Sequence, residues 1–314
     1  MTAQDPSLRK PVLPTGRGAV TRFAPSPTGH LHIGHARSAL FGFALAHRLG
    51  GRFLLRIEDI DPDRCRPELI GEICDVLRWL GLRWEEPVLR QSEHVAVYEA
   101  AAMRLKDMGL LYPCFASRAE IEAAASPGLR DPDGAPIYPG LHRGMRPDHI
   151  AQRKAAGQPF AMRLDMQAAI HAARAKADSA AFGFWELDRR GEITRQAIDP
   201  ARWGDVVLQR KTLPTSYHLS VVVDDARQGI SLVTRGEDLR AATDIHRLLQ
   251  ILLDLPEPIY AHHPLILAAD GRKLAKRDGS PSLADLRARG LSPQDVRHMA
   301  GMTEPDLRRD CNND

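Results

Sequence analysis

Arg22-Phe23-Ala24-Pro25-Ser26-Pro27-Thr28-Gly29, followed two residues on by His32-Ile33-Gly34-His35, is the stretch on which the fold turns. Ahead of it, Ala19 to Phe23 reads as a short strand, because Val20 and Phe23 precede a run of turn residues. Behind it, Gly34 to Leu49 reads as a helix: Leu40, Phe41, Ala44 and Leu45 recur at helical spacing, and Gly50-Gly51 ends the run. Proline and glycine stiffen the loop between them, and the first helical turn offers unpaired N–H groups at the positive end of its dipole. Such a terminus is an anion site. Here it is flanked by His32 and His35, whose ring nitrogens can donate to phosphate oxygens, and Gly34 leaves room for a flat purine against the backbone. Two histidines alone would read equally well as surface residues on a capping loop. With the Pro-Ser-Pro-Thr-Gly loop in front, the anion site is the better reading.

Working outward, Arg52 to Ile57 predicts a second strand and Pro67 to Leu80 a second helix, and this alternation predicts a parallel α/β sheet. From Tyr112 to Trp203 the pattern weakens into Ala-rich helical pieces (Glu120–Ala125, Met166–Ala177) and Gly-, Pro- and Asp-rich loops, which suggests an insertion. The sheet pattern then returns. Leu219 to Val223 and Ile230 to Val233 read as strands. Leu239, Ala242, Leu248, Leu249 and Leu252 mark one face of a helix, and Pro264–Leu267 reads as the strand after it. Ser282–Arg289 and Pro293–Ala300 read as two short helices. The expected plan is a polar segment (1–17), a split Rossmann-like parallel-sheet domain (18–110 and 205–280), an inserted mixed α/β domain (111–204) and a short helical end (281–314).

Composition excludes several classes. With 314 residues, 43% hydrophobic and 26% charged, the chain has room for about two globular domains and is not a disordered or fibrous sequence. Four scattered cysteines (Cys65, Cys74, Cys114, Cys311) make a disulfide framework untenable. The balance of 43 Lys and Arg against 40 Asp and Glu is too mild to mark a nucleic-acid binder by charge. Met1 to Gly18 is polar, and no run approaches the ~18 apolar residues of a membrane helix. A cytoplasmic protein without membrane partners is expected.

A second chemical element follows the last predicted strand: Lys273-Leu274-Ala275-Lys276-Arg277. Three cations in a loop suit a triphosphate whose charge must be held while its α-phosphorus is attacked. Alone, such a pentapeptide would read as a solvated charge run. Paired with the first element at the other end of one sheet domain, it reads as the second half of a nucleotide site.

Together the two elements resemble the HIGH and KMSKS motifs of class I aminoacyl-tRNA synthetases. The Arg22–Gly29 loop, Arg56-Ile-Glu-Asp-Ile-Asp61, Tyr217-His-Leu-Ser-Val-Val-Val-Asp-Asp225 and Leu232-Val-Thr-Arg-Gly-Glu-Asp-Leu239 narrow the resemblance to the glutamate-specific branch. The chain ends at residue 314, 37 residues past Arg277, too short a stretch for an anticodon-binding domain. In this it is similar to the glutamyl-queuosine tRNA(Asp) synthetases, which activate glutamate with ATP and esterify it to queuosine in the anticodon of tRNA(Asp). The resemblance implies a ligase with ATP as substrate, Mg2+, L-glutamate, and the anticodon stem-loop of tRNA(Asp) as partner; a monomer is expected. It implies Arg22, Phe23, Ala24, Pro25, Ser26, Glu58, Tyr217 and Arg235 around glutamate, with Glu58 on the ammonium and an arginine suited to a bidentate grip on carboxylate. It implies His32, Gly34, His35, Lys273, Lys276 and Arg277 around ATP, with His32, His35 and Lys276 as the catalytic groups. A shortened glutamyl-tRNA synthetase charging a tRNA 3′ end, another HIGH-type adenylate-forming enzyme acting on a small molecule, and a catalytically silent RNA-binding paralogue are the alternatives.

The sequence departs from that family in three places. Members often carry a zinc site of the form Cys-x-Cys followed by Tyr-x-x-x-Cys. Here the halves read Cys114-Phe-Ala116 and Tyr138-Pro-Gly-Leu-His142, leaving Cys114, Tyr138 and His142, and Zn2+ is expected to be absent. His35 is present where the shorter family often lacks it. Ala275 stands where a serine is usual, with the cations intact.

Overall fold

The computed structural model describes residues 10–177, 182–266 and 281–302. β1 (Val20–Phe23) pairs in parallel with β2 (Arg52–Ile57), Val20 opposite Arg52 through Phe23 opposite Leu55. On the far side of β2 lies β3 (Glu85–Arg90), also parallel. The crossovers are α1 (Ile33–Arg48) and α2 (Glu68–Trp79), whose apolar faces bury Ala36, Leu40, Ile73 and Leu77 against the strands. A second sheet orders β7 (Ile193–Ala197), β6 (Gly183–Leu187), β10 (Ile259–His263) and β9 (Leu232–Gly236). Within it β10 runs parallel to both neighbours, and β7 runs antiparallel to β6.

The two sheets meet where β1 lies beside β9. Ser231 N–H donates to the Val20 carbonyl at 3.1 Å, and Val20 N–H to Ser231 Oγ at 2.9 Å. Further along, Arg22 NH1 donates to the Thr234 carbonyl at 3.1 Å. The seam is thus held by one backbone hydrogen bond and two side-chain ones, where a full ladder would leave no opening. From β1 the chain leads through α1 to β2 on one side; from β9 it leads through α8 (Thr243–Leu252) to β10 on the other. Crevices at such a reversal, beyond the carboxyl ends of the strands, are where open α/β sheets bind ligands.

Leu219–Val223, expected as a strand, lies inside α7 (Tyr217–Arg227). The helix is wedged between α8 and α3 (Val95–Asp107), and every residue from Leu219 to Asp225 is buried. A segment buried on all faces loses its period, and a short apolar run cannot then distinguish helix from strand. The strand expected at Ile230–Val233 sits two residues later, as β9. The one expected at Pro264–Leu267 is preceded by the real strand, β10; Leu267 lies outside the described residues.

An antiparallel sheet of β4 (Leu111–Cys114), β5 (Ala161–Leu164) and β8 (Val207–Gln209) forms a separate unit. With it go α4 (Arg118–Ala124), α5 (Pro147–Ala155) and α6 (Met166–Lys176). Sheet membership cuts the chain differently from the expected boundaries at 111 and 204: β6 and β7 join the sheet of β9 and β10, while β8 closes the smaller one. Strand partners, not sequence neighbourhood, decide this. Near the carboxyl end, α9 (Leu283–Ala288) and α10 (Pro293–Met299) return to the first half, burying Leu283, Leu286 and Val296 in the same core as Ala36 and Leu77. Among the described residues no helix is long and apolar enough to cross a membrane.

Candidate active site

The seam between β1 and β9 opens into a cleft of about 520 Å³. One wall is the loop after β1, from Arg22 to Ser26, with His32, Gly34 and His35 from the start of α1; the other is Tyr217, Thr234, Arg235 and Gly236, with Glu58 between. The loop is pinned through its prolines. Glu58 N–H donates to the Pro25 carbonyl at 3.0 Å, and Arg66 N–H to the Pro27 carbonyl at 2.9 Å. A proline-rich loop cannot donate at those positions, so it is fixed by what it accepts.

At the start of α1 the two histidines cap the helix with their rings. His32 Nδ1 accepts from Gly34 N–H at 3.1 Å, and His35 Nδ1 accepts from His32 N–H at 3.1 Å. A ring nitrogen that accepts carries no proton, so the hydrogen bonding assigns the proton of each ring to Nε2. Both rings, 3.9 Å apart between centroids, therefore carry an N–H donor on the edge away from the helix. Gly34 matters here for a steric reason: a Cβ would stand 3.0 Å from His32 Cε1, and the ring would have to give by a few tenths of an ångström.

The opposite wall is charged and buried. Arg22, 5% exposed, donates from Nε to Asp225 Oδ1 at 2.9 Å and from NH2 to Oδ2 at 3.2 Å. Arg56 donates to Asp225 Oδ1 at 2.7 Å and to Glu58 Oε1 at 3.2 Å. Asp224, beside it, accepts from Tyr98 and Gln91. Burial pushes the Glu58 carboxyl up while Arg56 and Arg22 pull it down; Asp225 is held below the usual range, its two arginines outweighing burial. Arg22 is thus already matched by a carboxylate.

Arg235 is not. It is 5% exposed, and its donors meet neutral acceptors: Nε to His262 Nε2 at 3.2 Å, NH1 to His246 Nδ1 at 3.0 Å, and NH2 to Thr243 Oγ1 at 2.5 Å. No carboxylate pairs with it among the described residues. Burial and the nearby Arg235 cation hold His246 well below the usual histidine range, and the same causes bring His218 down to about 4. The Tyr217 hydroxyl, pushed up by burial, lines the cleft without a hydrogen-bond partner among the described residues. The cleft is therefore lined by a buried guanidinium with no carboxylate on it among the described residues, the Glu58 carboxylate, the Tyr217 phenol and the imidazoles of His32 and His35.

Comparison with known proteins shows the family. The family described as "tRNA synthetases class I (E and Q), catalytic domain" matches residues 19–302. This chain belongs to that family. It is therefore a ligase-type domain, and its split sheet is the class I synthetase fold. A Glutamyl-Q tRNA(Asp) synthetase of Rhodobacter capsulatus is 47% identical over 90% of this chain and the whole of its own length. Another, of Nocardia farcinica, is 42% identical over 89% of this chain and 82% of its own. A Glutamate--tRNA ligase of Parasynechococcus marenigrum is 41% identical over 88% of this chain, which spans 56% of it. The crystal structure of a glutamate-tRNA synthetase from Elizabethkingia anophelis superposes with a TM-score of 0.69 at 24% identity, over 93% of this chain and 66% of that one, a likeness of fold.

Arg22, Phe23, Ala24, Pro25, Ser26, His32, Gly34, His35, Glu58, Tyr217 and Arg235 all line the one cleft. Lys273, Lys276 and Arg277 lie outside the described residues. Not foreseen were Asp225 and Arg56, which hold Arg22 and Glu58, and Thr243, His246 and His262, which hold Arg235. Two adjacent aspartates ending an apolar run were the one signal for the first pair; a buried carboxylate demands a cation.

The zinc site of family members finds no counterpart in donor chemistry. Cys114 Sγ donates to the Tyr138 hydroxyl at 3.3 Å, which also accepts from His142 N–H at 2.9 Å, and His142 Nδ1 accepts from Phe115 N–H at 3.3 Å. One thiol, one phenol and a half-spent imidazole do not make the four N/S ligands zinc takes. Among the described residues no cluster of three or more His, Cys, Asp or Glu is arranged to hold a metal.

Proposed function

We propose that this chain activates L-glutamate with ATP and transfers the glutamyl group to queuosine in the anticodon of tRNA(Asp). The observation that carries this reading is the 47% identity to a protein of that name across that protein's whole length. The cleft chemistry agrees with it. Arg235 suits a carboxylate of glutamate, Glu58 its ammonium, and Tyr217 supplies one further hydrogen bond. The Nε2–H groups of His32 and His35 suit the phosphates of ATP, joined by Lys273, Lys276 and Arg277.

In the first step an oxygen of the α-carboxylate attacks the α-phosphorus in line, the bond to the β,γ-phosphates breaks, and pyrophosphate leaves. Magnesium, where bound, neutralises phosphate charge. The protein positions the two anions and stabilises the charge that accumulates on the phosphates. In the second step a hydroxyl of the queuosine ring attacks the carbonyl carbon, the bond to the phosphate oxygen breaks, AMP leaves, and the hydroxyl proton passes to solvent.

The test is ATP–pyrophosphate exchange with glutamate, without and with tRNA, followed by transfer of labelled glutamate. Expected are exchange, and transfer to queuosine-bearing tRNA(Asp) even when its 3′-terminal adenosine is missing. Transfer that needs that adenosine and ignores queuosine would establish ordinary 3′-end charging instead. Absence of exchange under every condition would leave a silent paralogue.

A further inference from the structure

Arg235 sits in the cleft with no carboxylate on it among the described residues, its guanidinium lying over the Tyr260 ring at 5.1 Å; this is an expensive arrangement, because a buried guanidinium is normally paired with a carboxylate. Of its five N–H groups, three are engaged by His262, His246 and Thr243, leaving one on each terminal nitrogen. Both histidines are themselves fixed as acceptors. His262 takes its proton on Nδ1, which faces Glu186 Oε1 at 2.8 Å, and Glu186 is in turn gripped by Arg240 at 3.2 and 2.6 Å. That leaves His262 Nε2 as a lone pair aimed at Arg235 Nε. His246 Nδ1 faces Arg235, so its proton is on Nε2, 3.3 Å from His218 Nδ1. The Thr243 hydroxyl donates to the Arg240 carbonyl at 2.6 Å and so presents a lone pair to Arg235 as well.

Each histidine acceptor is thus oriented by a second partner on a different element, and the Thr243 hydroxyl by the carbonyl of the turn before its own helix. Glu186 lies on β6, His262 on β10, His246 on α8 and His218 on α7. Had an aspartate stood at 246, the guanidinium would be held as firmly but its charge would be cancelled, as Asp225 cancels Arg22.

We infer that His246, His262 and Thr243 are positioning residues that hold the Arg235 guanidinium through neutral acceptors, so that its orientation is fixed while its charge is kept for a ligand carboxylate. This rests on the reading that the cleft binds glutamate. It adds the reason the pocket tells a carboxylate from an uncharged amide: only the anion compensates the charge the acceptors leave.

The test compares His246→Leu, His246→Gln and Thr243→Val with the wild-type chain in ATP–pyrophosphate exchange, reading KM for glutamate and for ATP separately. His246→Leu is expected to raise KM for glutamate by about tenfold to a hundredfold, the worth of a hydrogen bond to a charged group, with KM for ATP within about twofold. His246→Gln, which can still accept through Oε1, is expected to recover most of that loss. Should His246→Leu fail to fold, Thr243→Val, which keeps the shape and removes one acceptor, carries the same expectation. An unchanged glutamate KM in the folded variant, or a parallel rise in both KM values without rescue by glutamine, overturns the inference. No exchange in the wild-type chain overturns the glutamate reading, and this inference with it; wild-type exchange with an unmoved variant overturns the inference alone.

Discussion

Arg22 on β1 and Asp225 on α7 are joined by two hydrogen bonds, Nε to Oδ1 at 2.9 Å and NH2 to Oδ2 at 3.2 Å, across 203 positions of sequence. Arg56 meets the same carboxylate at 2.7 Å and hands its other end to Glu58. One buried aspartate therefore fixes both the first loop and the carboxylate at the foot of the cleft.

Asp225→Asn keeps the shape and removes the charge, leaving the buried Arg22 without a carboxylate while Arg56 keeps Glu58. Breaking a buried pair in this way costs about 3–5 kcal/mol. Urea denaturation is expected to show a loss of that size. A change under about 1 kcal/mol would mean that solvent, not Asp225, compensates the arginines.

Acid is expected to destabilise the fold before the carboxylates titrate. His218 is held down to about 4 and His246 well below its usual value, both by burial and then by Arg235. Between the unfolded value of 6.5 and the folded one, the unfolded chain binds the protons, so stability falls as pH drops through that window. Each such histidine removes up to ~1.4 kcal/mol per pH unit. Glu58, pushed up by burial, acts in the opposite sense. Denaturation midpoints between about pH 7 and about pH 5 measure the net slope, and His218→Gln is expected to flatten it.

His32→Ala removes the acceptor that caps α1 and one Nε2–H from the cleft. The lost cap is worth about 1 kcal/mol in thermal or chemical stability. The lost donor is expected to lower the exchange rate by about a hundredfold or more. Equal exchange rates would remove His32 from the phosphate site.

Gly34→Ala separates the two roles of that ring. The added Cβ, 3.0 Å from His32 Cε1, is expected to displace the ring and depress exchange, with stability within about 1 kcal/mol because alanine favours the helix. Full activity would show that the ring re-seats.

Purified protein is expected to hold well under one equivalent of zinc by elemental analysis, and chelator is expected to leave its unfolding midpoint unchanged. The Cys114, Tyr138 and His142 side chains are already engaged with each other and with the backbone. A stoichiometric metal would contradict this.

Much of the cleft was legible because its elements are local. Prolines, glycines and helical spacing within residues 19–49 specify strand, loop and helix through consecutive residues, and the structure keeps them as Val20–Phe23 and Ile33–Arg48. The strand at Arg52–Ile57 was equally plain. β3 and α3 were not recognised at all, for Glu85–Arg90 is half-exposed and carries little alternation.

What the residue order determined by itself is the loop after β1, the histidine pair and the residue types that suit an acid, an amine and phosphates. What only the tertiary structure decided is which charge is cancelled and which is left. Asp225 neutralises Arg22, while His246, His262 and Thr243 leave Arg235 charged. The tertiary structure also turned Leu219–Val223 from a strand into a buried helix and drew 183–197 into the main sheet. The physical reason is common to all of these. Backbone preferences act between near neighbours in sequence, whereas charge pairing and strand pairing are settled by distance in space, and burial on every face erases the period that would have announced them.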